Sequence, residues 1–131
     1  MVEVSLILPV ISFLFVGALD LGYFAFSLIS LESATRVAAL YTSTNASTSA
    51  DSAGACRYVL SEMNTVPHNG NIAGDCASGP LTVSAVSVSG PGGIACSQVS
   101  VTYQSMALIP IPGVLANQFT WTRALTMAVR S

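Results

Sequence analysis

Between Val4 and Leu19 the chain carries no charged side chain, and if Asp20 is admitted the apolar run continues to Leu31. As an α-helix rising about 1.5 Å per residue, this run spans roughly 40 Å, more than the apolar core of a bilayer at about 30 Å. The chain has 131 residues, and the remainder, about 90 residues, would struggle to bury so long an apolar helix as its own core. The segment is therefore expected to leave the soluble part: residues 1–40 form a long helix and 41–131 a small head. The run opens on an acid, Glu3, with no Lys or Arg before it. A secretory signal peptide or an oriented membrane span would carry a basic start. The chain is accordingly read as already processed, or as begun at an internal position.

Composition narrows the function classes. The bases are Arg36, Arg57, Arg123 and Arg130, Lys is absent, and the net charge is -2. Without a basic cluster, phosphate neutralisation fails, so nucleic acid is not an expected partner. Apolar residues make up 52% of the chain, as expected for a small protein with one membrane segment. One His and three Cys are too few, and wrongly spaced, for a zinc site. No cofactor, metal ligand set or catalytic residue is expected. A Cys/His pair using His68 lacks any third group to orient the base, so an enzyme is not expected either. Cys56, Cys76 and Cys96 all lie outside the apolar run, which allows one disulfide and one thiol in an oxidising compartment.

Within the helix, Pro9 removes one backbone hydrogen bond and predicts a local loosening near Ser5. Gly17 and Gly22 offer small surfaces where neighbouring helices approach closely. A carboxylate in hydrocarbon costs on the order of 3 kcal/mol, so Glu3 and Asp20 need partners. Glu3 either complements the helix dipole or pairs with the terminal amine of a neighbouring subunit, setting axial register. Asp20 either reaches water at the membrane boundary or pairs, for instance with Arg36. The two are about 24 Å apart on one straight helix, so that pair would have to form between subunits.

The stretch VEVSLILPVISFLFVGALDLGYFAF, followed by LESATRVAALY, resembles the N-terminal region of TadE-like pseudopilins of tight-adherence pilus systems. Glu3, Pro9, Asp20, Gly22, Arg36, Ala38, Ala39 and Leu40 carry the likeness over residues 1–40, and the closing LTMAVRS is weakly similar to the family's last strand. The resemblance implies a pilin-like fold, export as a prepilin and cleavage by a prepilin peptidase. It further implies residence in the inner membrane before assembly, and incorporation with other copies or other pilins into an extracellular type IV-like filament.

In the head, the polar run Tyr41–Ser52 should end the helix and lie on the surface, either as a glycosylated patch or as a plain solvated linker. Cys56, Val59, Leu60 and Met63 recur at helical spacing and predict a short helix from about Asp51 to Met63. Asn64–Pro80 reads as a loop carrying His68 and Cys76. Cys56 with Cys76 is the preferred disulfide, tying that helix to its loop, and a pair involving Cys96 is the rival. Val83–Val88 reads as a strand with a bulge where its phase changes between Ala85 and Val86. SGPGG makes a turn, and Val99, Val101 and Tyr103 alternate with polar residues in a second strand. After Pro110 and Pro112, Phe119, Trp121, Leu125, Met127 and Val129 share one parity of a third strand, which only Arg123 interrupts. Phe119 and Trp121 read as core residues, not as a sugar-binding platform. The expected fold class is α+β, a long N-terminal apolar helix packed on about three antiparallel strands. The expected function is structural, as a principal or minor filament subunit. The alternatives are a single-pass anchored protein whose head binds a ligand or partner, and a small hydrolase using Cys or Ser.

Overall fold

The computed structural model describes residues 2–64, 66, 76–77, 79–105 and 119–130, with side chains from residue 4 onward. Helix α1 runs from Val2 to Thr42, 41 residues or about 60 Å. Pro9 lies inside it, with helical backbone on both sides. The two halves of α1 differ in kind. From Ser27 onward the buried residues Ser27, Leu31, Ala34, Thr35, Ala38, Ala39 and Thr42 recur at spacings of three and four, a single stripe facing the head. Before Ser27 no described side chain is buried: the stripe fades through the half-buried Phe24, Tyr23, Asp20, Gly17 and Val16, and from Phe15 back to Val4 every residue is exposed. The stripe is rich in alanine, which lets backbones approach. Its buried hydroxyls are satisfied within the helix: Ser27 donates to the Tyr23 carbonyl at 3.0 Å, Thr35 to Leu31 at 2.8 Å and Thr42 to Ala39 at 3.1 Å.

The helix α2 spans Ser52–Met63 and buries Ala55, Cys56, Val59 and Met63 against α1, with Leu60 packed at the margin. Asp51 caps it, one carboxylate oxygen accepting from the Gly54 N–H at 2.9 Å. The Cys56–Cys76 disulfide is formed, with Cα atoms 5.9 Å apart, and Cys96 is a buried free thiol. His68, Pro110 and Pro112, and most of the loop expected over Asn64–Pro80, fall outside the described residues.

Three strands, β1 (Leu81–Ser89), β2 (Ala95–Ser105) and β3 (Phe119–Ala128), form an antiparallel sheet in the order β1-β2-β3. Together with α1 this is the α+β arrangement expected. The β1–β2 turn passes through Pro91–Gly93, where Gly92 and Gly93 take φ of 76° and 77°, a region open to glycine at little cost. Gly90 has a different reason: a Cβ there would press on the Cys96 sulfur, so the missing side chain is what lets that thiol sit under the turn.

The expected bulge is absent. Pairing runs unbroken from Leu81 opposite Tyr103 to Ser89 opposite Ala95. Leu81, Val83 and Ala85 face the helices, while Val86 stays on the outer face at 50% exposure. The partner strand fixes parity here, and a β-branched residue is tolerated on the solvent side for its strand preference alone. The polar run is also not wholly superficial. Thr44, Asn45 and Ser47 are exposed, but Ser49 is buried, and its carbonyl accepts from the buried Ser97 hydroxyl at 2.7 Å.

The core joins Leu31, Ala34, Ala38 and Ala39 of α1 to Val59 and Met63 of α2 and to Leu81, Ala85, Val99, Val101 and Tyr103 of the sheet. Burial, reinforced by the neighbouring Tyr23 phenol, pushes Tyr103 up to about 12. Trp121 packs against the core as expected, whereas Phe119 is less buried than expected. Trp121 is half-buried and Phe119 is 50% exposed, both meeting Phe24 edge to face at 5.4 Å. With Phe24 they form the rim of the head beside α1.

Candidate assembly surface on the long helix

From Val4 to Phe15 large apolar side chains stand open on every side of α1, with Leu6 at 71% and Leu14 at 70% exposure, and from Val16 to Phe26 one side stays open, with Leu21 at 70%. A helix apolar around its whole circumference is stable only when something apolar surrounds it, either lipid or other helices. By length and composition α1 suffices to cross a membrane.

The residues singled out from the sequence fall into two groups on this surface. Glu3 belongs to the first turn of α1, and its side chain is outside the described set. Pro9 is exposed. A Cβ at Gly17 or at Gly22 would meet nothing within 4 Å, so neither glycine is required by packing inside this chain. Asp20 is half-buried, the single acid between Val4 and Leu31. These residues share the bare half of the helix.

Arg36 belongs to the other half and serves a different purpose. Its guanidinium donates to the Glu32 carboxylate at 2.7 Å, one turn back on the same helix, and both side chains are largely exposed. Such an i, i+4 pair contributes a few tenths of a kcal/mol to the helix. Arg36 thus has a counter-ion within its own chain. Beside that pair the sheet brings in Arg123, and Glu32, Thr35, Arg36, Arg123, Ala124 and Leu125 line a groove of about 230 Å³ between α1 and β3. Arg123 lies on the helix-facing parity of β3, opposite Val101, yet is exposed because β3 is the sheet edge.

The structure brings Cys56 and Cys76 together and keeps Cys96 apart. Sequence reasoning passed over a second junction, in which the Tyr41 phenol donates to Asp51 at 2.8 Å and packs on the Tyr58 ring at 4.8 Å. The signal for it was an Asp directly before a helical pattern, with an aromatic at the end of the preceding helix. Among the described residues no three His, Cys, Asp or Glu side chains converge as metal ligands would. The chain matches no family model, no curated protein and no solved structure.

Proposed function

We propose that this chain is a TadE-like pilin or pseudopilin, a structural subunit of an extracellular type IV-like filament held in the inner membrane before assembly. The observation that carries the reading is the division of α1. Its second half has one buried stripe and is occupied by the head, while its first half holds no buried side chain among those described, is open all round as far as Phe15, and bears Gly17 and Gly22 without internal need for the glycines. Lipid satisfies an apolar circumference, but it gives no reason for small residues. A bundle of like helices accounts for both, since glycines admit close approach and apolar neighbours cover the circumference. The sequence likeness over residues 1–40 points the same way. On this reading the head coats the filament, and Glu3 acts in axial register.

A second reading, a single-pass anchored protein with a binding head, is favoured by the groove bearing Glu32, Arg36 and Arg123. The two part on one experiment. Fibres sheared from cells that make the chain should contain it as a component by mass spectrometry, and Glu3→Ala should abolish the fibres while leaving the Cys56–Cys76 bond and the head fold intact. Detergent-soluble monomers alone, from cells that display fibres, would count for the anchor. Normal fibres from Glu3→Ala cells would remove Glu3 from assembly.

A further inference from the structure

Directly after α1, Asn45-Ala46-Ser47 has the form Asn-x-Ser with x other than Pro, the acceptor tripeptide for N-linked saccharides. Most such tripeptides in a sequence mean nothing, so the structural context has to decide. Three features of the context favour an acceptor. Asn45, Ala46 and Ser47 are all exposed and sit at the tip of the loop that joins α1 to α2. The loop is pinned at its base and not at its tip: the Arg130 N–H donates to the Ser43 carbonyl at 2.9 Å, and Ser97 donates to the Ser49 carbonyl. The side chain of Asn45 is also set in one orientation. Its Oδ1 accepts from the Ser47 hydroxyl at 2.6 Å and from the Thr48 N–H at 3.0 Å, while among the described residues Nδ2 makes no hydrogen bond.

That geometry suits the chemistry. Donors placed on Oδ1 stabilise negative charge there, so Nδ2 releases a proton more readily as it attacks. Ser47 belongs to the same short turn, so the arrangement needs no distant part of the head. Thr42, the last residue of α1, lies about 24 Å along the axis from Phe26, which sets the loop well clear of the bare apolar half.

We propose that Asn45 is the acceptor of an N-linked saccharide on the outer surface of the head, an inference that rests on the chain being exported. The donor is a saccharide carried on a lipid pyrophosphate. Nδ2 forms a bond to the anomeric carbon as the bond from that carbon to the pyrophosphate oxygen breaks. The lipid pyrophosphate departs with the electron pair, and the Nδ2 proton passes to a base of the transferase.

The test is the intact mass and peptide map of the chain purified from cells that make it, with N45Q, S47A and S47T alongside. The expected result is a native mass above that of the polypeptide, with the increment mapped to Asn45. It should be lost in N45Q and S47A and kept in S47T, with the Cys56–Cys76 disulfide present in all four. Exported chain with an oxidised disulfide and the bare polypeptide mass would overturn the proposal and leave the filament reading untouched. Chain found unmodified, reduced and inside the cell would overturn both. An increment that survives N45Q, as sugar on the neighbouring Ser and Thr hydroxyls would, also overturns it.

Discussion

The Asp51 carboxylate accepts from the Gly54 N–H through one oxygen and from the Tyr41 phenol through the other, so a single side chain caps α2 and fastens it to α1. Gly54 follows from that junction. A Cβ there would run into Asp51 and the Tyr41 ring, a clash that outweighs the roughly 1 kcal/mol of helix propensity alanine would bring. Both hydrogen bonds favour the charged carboxylate, the Gly54 N–H most, and hold Asp51 below its ordinary value of 3.8. The folded value therefore lies under the unfolded one. The stabilisation is complete above about pH 4 and is lost as pH falls through the folded value, when the native carboxylate at last takes a proton. Asp51→Ala is expected to lower Tm by a few degrees at pH 7, and the gap to the parent should narrow progressively as melts are taken to acid pH below the unfolded value of 3.8. Asp51→Asn keeps a capping oxygen, so it should fall between the two at pH 7 and lack the parent's acid-side loss. Equal melting of Asp51→Ala and parent at pH 7 would leave the cap without a measurable role.

At the scale of elements, α2 and the strands could be read from spacing because each pattern is local. An Asp before Cys56, Val59, Leu60 and Met63 at helical intervals gives both the start and the buried face of α2. Parity gives the inner face of β3, and Arg123 sits on it as read. What failed depends on partners. The phase change at Val86 looks like a bulge only until β2 is seen to pair straight through it. Phe119 looks like core until it is seen at the rim beside Phe24, while Trp121, two residues on, does pack against the core. The groove at Arg36 and Arg123 joins residues 87 positions apart, and no periodicity could have announced it. The disulfide lies between these cases: the sequence favoured Cys56 with Cys76 while leaving Cys96 as a rival, and the fold forms the favoured pair. It closes a separation of 20 residues, for which chain entropy gives about 3 kcal/mol. The C56S/C76S double variant should therefore lose about that much stability in urea unfolding, and reductant should lower the parent to match it while leaving the variant unchanged. A loss well under about 1 kcal/mol would mean that the packing of Cys56 on the core, and not the covalent bond, holds α2 in place.

Taken whole, the molecule consists of a head that folds on half a helix and a second half that the head does not use. Among the described residues no core residue precedes Tyr23, and the ring contacts at the rim begin at Phe24. A chain starting at Asp20 therefore keeps every core and rim contact and discards most of the bare apolar surface. It should be a soluble monomer with the disulfide formed. Its Tm should lie within a few degrees of the full chain in detergent, because only an exposed stretch of helix is removed. The converse change leaves the fold and alters the surface. Gly22→Leu meets open space in the single chain and improves helix propensity, so the melting of the detergent-held monomer should not fall. If copies pack helix to helix at that point, the added side chain holds the backbones apart and fibres are lost; lipid would simply accommodate it. Loss of fibres with an unshifted melt therefore identifies helix contact as the function of the bare half. Fibres that persist in Gly22→Leu would mean that Gly22 does not mark the contact, and a truncated head that aggregates or melts far below the parent would mean that the two halves do not divide the work as described.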